Sequence, residues 1–475
     1  AVGTMGLPTE PVRAVTTPLE EIFPGLPRPQ GLQGHDDENW PFMLMGPNGE
    51  PTPELLERYA ALSTLRPGIR RYNIWWDGFE PNPSFEQPPA SCPSGQELVP
   101  ENAEELAKRG YKRFHCYATA QLRRYDTVLK MDRQLGAQSA AILYGTPSWA
   151  RHPNCTGFPW GKSMFKEGCA PQPAYMDDYE DYVNLLAERY SRGSASAFLS
   201  HMVVWNEVAS GGWMDMSPTL PNRAGPNGSN PLTETQMDQW VGVYADLVRR
   251  TAQATARHSD GVMIWTSNDR LWERPTQREN DTLHVGVRPF LDRLWPMLGT
   301  DFVWALAVHP YDAGDPRDTH EFAPGFHPQA YTFASLTNVV DYQRAQVKTI
   351  GNLDPDSVEG HPFTLLYASE QGWPSFPGCC NMTIKARNIC YAHDISSKLP
   401  EMIAVTHNFF QDSPGGSSQG GEDYGLISPN ATLKLVDVPG PDDGPLLAYN
   451  STSPLQWGQS NTHYCCATWK VGCQS

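Results

Sequence analysis

The chain has 475 residues, room for one large domain or two or three smaller ones, and a formal charge of −17 from 53 acidic and 36 basic side chains. That balance argues against nucleic acid and anionic lipid as partners, since both require clustered Lys and Arg. No apolar run reaches membrane-spanning length, while 15 Trp and 19 Tyr supply a core and flat faces on which sugars stack.

In chain order, residues 1–39 are rich in Pro and Gly without a sustained period and read as an extended arm, beginning Ala1-Val-Gly-Thr as a processed chain would. Phe42-Met-Leu-Met45 reads as strand one, followed by a helix capped by Thr52 with Pro53 in its first position. Arg71-Tyr-Asn-Ile-Trp-Trp76 is strand two, and a long loop leads to a helix over 121–135. Ala140-Ala-Ile-Leu-Tyr144 is strand three, ending in Thr146-Pro-Ser-Trp149. Tyr175, Tyr179, Tyr182, Val183, Leu186 and Tyr190 mark a helix of 3.6 period, closed by Gly193. Strand four is His201-Met-Val-Val-Trp205-Asn206-Glu207, and a helix starts at Thr233 with Gln236 completing a capping box. Val262-Met-Ile-Trp265 and Trp304-Ala-Leu-Ala-Val-His309 are strands five and six, with a helix over 336–350. Strand seven, Phe363-Thr-Leu-Leu-Tyr367-Ala-Ser-Glu370, precedes a helix over 384–399, and Met402-Ile-Ala-Val-Thr-His407-Asn-Phe-Phe410 is strand eight.

Eight strands alternating with helices predict an α/β fold: one (β/α)₈ TIM barrel over 40–435, with long loops after strands and short ones after helices. A doubly wound open sheet is the runner-up, without the Gly-rich phosphate turn after strand one. Residues 436–475 read as a cysteine-rich tail tied to the barrel.

The carboxylates then draw attention. Glu207 and Glu370 each close a buried apolar strand, where an isolated charge is costly. Opposed in one barrel mouth, they form the pair that glycosidic hydrolysis requires. Here the sequence resembles the clan A superfamily of retaining glycoside hydrolases, the four-seven barrels. Its signature is Asn-Glu ending strand four and Glu ending strand seven, present as Asn206-Glu207 and Ser369-Glu370, with His309-Pro-Tyr311 after strand six and Arg71 in strand two. The resemblance implies Glu370 as nucleophile, kept ionised by Arg71 and Tyr311, and Glu207 as acid/base. It also implies Asn206 on the sugar hydroxyl beside the anomeric carbon, and His309 contacting the same subsite or orienting Tyr311. Arg71 is preferred to Arg70 because alternation places it on the face of Asn73 and Trp75. Trp149, Trp213 and Trp373 are candidate sugar platforms. Many members end strand eight with Trp; His407 or Phe410 stands in its place here.

Ten cysteines indicate an oxidising compartment. Cys92 and Cys116 bracket one loop, Cys155 and Cys169 another; pairing among Cys379, Cys380, Cys390, Cys465, Cys466 and Cys473 stays open. No C-x-x-C with a His pair supports a zinc site, and neither metal nor organic cofactor is expected. Sequons at Asn154, Asn227, Asn280, Asn381, Asn430 and Asn450 add to a secreted, N-glycosylated, extracellular protein with a carbohydrate substrate. The rival expectation is a catalytically silent barrel that binds polysaccharide as an extracellular structural glycoprotein. Oligomeric state is not legible.

Overall fold

The computed structural model describes residues 32–36, 40–65, 67–153, 155, 168–194, 198–216, 232–258, 261–273, 277–279, 282–311, 315–319, 329–373 and 382–408. Its centre is a curled parallel sheet of seven strands, which we number β2 to β8: Ile69–Trp75, Gln138–Tyr144, Leu199–Val204, Met263–Asn268, Trp304–Val308, Leu366–Gln371 and Met402–His407. A short strand β1, Leu32–Asp36, pairs in parallel with β8 on one side and β2 on the other, closing the ring. Helices α1 to α7 follow the successive strands: Pro53–Leu65, Thr119–Leu135, Met176–Arg189, Glu234–His258, Val287–Leu298, Leu336–Thr349 and Met382–Ser397.

Local chemistry accounts for the helix starts. The Leu55 amide donates to the Thr52 hydroxyl (3.3 Å) ahead of α1. Thr233 and Gln236 exchange both bonds of the capping box ahead of α4. Two expectations are corrected. Residues Trp40–Met43 form a helical turn, so Phe42–Met45 is not strand one. That role belongs to Leu32–Asp36, within the segment expected to be an arm. Helix α5 also escaped notice, because Pro296 lies inside it and interrupts the sequence pattern. The expected tail, 436–475, and residues 1–31 lie outside the described residues.

Alternation along β2 sorts its two arginines. Arg70 points out of the ring, where its Nη1 meets Asp132 Oδ1 on α2 at 2.6 Å, both side chains fully buried. The hydroxyls of Tyr59, Tyr72 and Ser139 complete the shell around Asp132, at 3.2, 3.0 and 3.2 Å. Breaking a buried pair strands the remaining charge, at a cost of about 3–5 kcal/mol. Asp132→Asn is therefore expected to lower the denaturant midpoint markedly; a change within error would show that the ion pair does not pin α2 to the barrel. Arg71 points inward, toward Glu370 and Asn206, a direction that alternation alone leaves open. Two disulfides join the cysteines that bracket loops, Cys92–Cys116 and Cys155–Cys169. Cys390 is also disulfide-bonded; Cys379, Cys380, Cys465, Cys466 and Cys473 lie outside the described residues.

Candidate active site

The site forms where β4 and β7 end. β4 is buried throughout, and after Val204 the chain turns through two left-handed residues, Trp205 (φ 63°) and Glu207 (φ 41°). Non-glycine residues in that region cost about 1–3 kcal/mol each and persist only when their surroundings hold them. The Trp205 amide donates to Leu143 O (2.9 Å), and its indole N–H to Trp213 O (2.7 Å). The Glu207 amide donates to Ser267 Oγ (3.1 Å) and the Val208 amide to Ser267 O (3.2 Å). Trp205 is thus a buried anchor, and the turn it fixes presents Asn206 and Glu207 to the barrel mouth.

Across the ring, β7 loses register with β8 between Ala368 and Gln371. Such an irregularity re-aims side chains, and here consecutive residues, Ser369 and Glu370, both reach the same cluster. Tyr311 Oη donates to Glu370 Oε1 at 2.8 Å, and Arg71 Nη2 lies 3.3 Å from Oε2. Asn408 Nδ2 donates to the Tyr311 oxygen at 2.5 Å, which leaves the phenol proton for Glu370. Burial pushes the Glu370 carboxyl up, but the His309 and Arg71 charges and the hydrogen bonds from Tyr311 and Arg71 outweigh it and hold it below its ordinary value. Arg71 also donates to Asn206 Oδ1 (3.2 Å), fixing that oxygen as acceptor and leaving the amide N–H₂ to donate elsewhere.

His309 lies at the centre of the site. Its Nδ1 lies 2.7 Å from Glu207 Oε1 and 3.7 Å from Glu370 Oε2, and its Nε2 lies 3.1 Å from Ser369 Oγ. It therefore stands between the carboxylates, and its carbonyl accepts the Tyr311 amide at 2.8 Å. One oxygen from each glutamate and a His309 nitrogen all lie within 4.8 Å of one another. Both glutamates keep some exposure, 18% and 16% of their side-chain surface, while His309 and Arg71 have none. The mouth can thus admit a ligand while the groups that hold the carboxylates stay fixed.

The expected platforms divide. Trp213 is half-buried and stands edge-on to Tyr144 (6.1 Å), which also meets Trp205 (5.1 Å) and Trp75 (4.9 Å). Trp149 is half-buried too, its indole held by Glu80 O at 3.0 Å and packed against Trp76 and Tyr175. Trp373 is only 2% exposed, between Phe333 and His407, so it is packing and not an open platform. His407 is fully buried as well. Phe410 and the sequons Asn154, Asn227, Asn280, Asn381, Asn430 and Asn450 lie outside the described residues. Sequence reasoning missed Ser267, Ser369 and Asn408. Their only signal is position: Ser267 and Ser369 lie in the C-terminal halves of β5 and β7, and Asn408 just beyond β8.

Fold and site together define a parallel α/β barrel with a paired-carboxylate centre at the C-terminal strand ends. The chain belongs to a family of unknown function, DUF5722, whose profile matches residues 112–436. No curated protein matches it. Among solved structures, it is similar to a family 39 glycoside hydrolase from the gut symbiont Bacteroides cellulosilyticus WH2, at 12% identity and TM-score 0.48, covering 90% of this chain and 64% of that one. It is also similar to GH5_18 from Streptomyces cattleya in complex with GlcNAc (12%, TM-score 0.49, covering 92% and 82%) and to the β-glycosidase BGL167 (12%, 0.48, covering 92% and 99%). The chain thus spans less than two thirds of the first of these proteins. At such identities and scores these likenesses bear on neither substrate nor mechanism.

Proposed function

We propose that the chain is a retaining glycoside hydrolase that cleaves O-glycosidic bonds in a poly- or oligosaccharide by double displacement. The observation that carries the reading is the approach of Glu207 and Glu370 oxygens to within 4.8 Å. Retaining enzymes hold their carboxyl groups about 5–5.5 Å apart, whereas inverting ones leave about 6.5–9.5 Å for a water. Glu370, held ionised by Arg71 and Tyr311, attacks the anomeric carbon while Glu207 gives its proton to the leaving oxygen. Glu207 then takes a proton from water, which attacks the same carbon and releases Glu370. His309 Nδ1, 2.7 Å from Glu207 Oε1, donates to the carboxylate that Glu207 becomes once its proton has gone. The free Asn206 amide donates to the hydroxyl beside the reacting carbon, a contact that strengthens in the transition state.

The test is turnover of a panel of aryl glycosides and polysaccharides, with a 2-fluoro-sugar as trap. Mass added to the peptide carrying Glu370 is the expected result; no turnover and no label across the panel would remove the reading. Tyr311→Phe deletes a donor to the charged Glu370. It should raise that carboxyl's pKa and move the acid limb of the kcat/KM profile to higher pH. A hydrogen bond to a charged group contributes about 1.5–3 kcal/mol, so kcat/KM should fall about 10- to 100-fold. An unmoved acid limb would detach Tyr311 from the nucleophile.

We further propose a secreted, N-glycosylated protein, supported by the disulfides and the sequons. A mass loss after enzymatic removal of N-glycans from secreted material is the expected outcome, and unglycosylated native protein would overturn it.

A further inference from the structure

A second cluster of charged side chains lies outside the carboxylate pair just described. Glu80 follows the helical turn after β2, His115 begins the short strand His115–Ala118, and Asp178 and Asp181 lie on α3. All four are fully buried. One donor atom from each of Glu80, His115 and Asp178 lies within 4.8 Å of the others. We propose that Glu80, His115 and Asp178 bind a single first-row divalent cation, with Asp181 orienting the imidazole.

Four observations carry this. First, the Asp178 side chain has no exposed surface and neither carboxylate oxygen makes a hydrogen bond of ordinary distance and angle, so the Ser84 hydroxyl and the His115 and Arg113 charges offset its burial only in part. A buried carboxylate held this loosely is costly, and a metal ion is one of the few partners that removes the cost. Second, three buried carboxylates face one imidazole, and the further cation acting on Asp178, Arg113, also pairs with Glu86 at 3.4 Å. A divalent cation in place of the imidazole proton supplies the missing charge.

Third, the two edges of His115 have different partners. Nε2 lies 2.9 Å from Asp181 Oδ2, and Asp181 is itself held by the backbone amides of Lys112 and Arg113, each at 2.9 Å. Nδ1 lies 2.5 Å from Glu80 Oε1. A ligating imidazole almost always donates its other N–H to a carboxylate, which sets its tautomer and orientation. Asp181 is placed for that task, so Nδ1 is the nitrogen left for the ion, in place of the proton it shares with Glu80. Fourth, Glu80 is oriented already, since its Oε2 accepts the Trp76 indole N–H at 2.8 Å. Donors this close accept one ion at about 2.0–2.3 Å after small side-chain shifts.

The donor set selects the ion. One imidazole with two carboxylates suits Zn²⁺ or Mn²⁺, whereas Ca²⁺ takes oxygen ligands. The role is structural, because the ion would clip together three segments distant in sequence. The Glu80 carbonyl oxygen also accepts the Trp149 indole N–H, so the clip would steady that tryptophan.

The experiment uses the full chain, purified without chelator, analysed for metal content, stripped with EDTA and titrated separately with Zn²⁺ and Mn²⁺ by calorimetry. One equivalent should bind and raise Tm. Asp178→Asn should lose that site, and Asp181→Asn should weaken it about 10- to 100-fold. Glu207→Gln, which alters the other carboxylate–imidazole group, should leave it unchanged. Stoichiometric binding that survives Asp178→Asn, or no binding to the wild-type chain, would overturn the proposal. Should Asp178→Asn fail to fold, wild-type crystals grown with either ion decide by anomalous scattering: a peak between Glu80, His115 and Asp178 supports the site, and its absence removes it.

Discussion

Glu370→Gln should abolish turnover, lowering kcat/KM by more than about 10⁴-fold, as loss of a covalent nucleophile does where nothing else attacks. The neutral amide keeps the size of the side chain and still accepts the Tyr311 proton, so the fold and substrate binding should persist. What is lost is the negative charge that Arg71 and Tyr311 hold in place, at 3.3 and 2.8 Å. An unchanged thermal transition alongside the lost rate would separate chemistry from stability. Activity within about tenfold of wild type would end the double-displacement reading, because a nucleophile cannot be dispensable.

Glu207→Gln should split substrates by leaving group. Glycosides with poor leaving oxygens need a proton in the first step and should slow by about 10²- to 10⁴-fold. Activated aryl glycosides leave unaided and should keep that step, stalling instead at hydrolysis of the glycosyl-enzyme. Azide needs no general base and should restore turnover with activated substrates, giving a glycosyl azide of retained configuration. Equal slowing of good and poor leaving groups, with no effect of azide, would assign Glu207 to binding alone.

Much of the barrel was legible because strands and helices leave local periods. α3 shows it in its tyrosines, and β2 in the alternation that sends Arg70 to Asp132 and Arg71 to Glu370. The failures share a cause. The strand that closes the ring, Leu32–Asp36, is a five-residue Gly-containing segment with no apolar alternation, and pairing with β8 and β2 decides its identity. Helix α5 hides behind Pro296. Ser369 reaches the cluster only because β7 slips register beside it, which leaves no trace in residue type.

By itself the sequence determined the alternation of strands and helices and the two glutamates ending the fourth and seventh strands. Both follow from apolar spacing and from the cost of placing a charge at the end of a buried run. Only the tertiary structure decided that the glutamates meet within 4.8 Å, that His309 stands between them, and that Asn408 arms Tyr311. Those relations join residues far apart in the chain. They depend on ring closure, on the two left-handed residues after β4 and on the slipped register of β7, none of which a local pattern encodes.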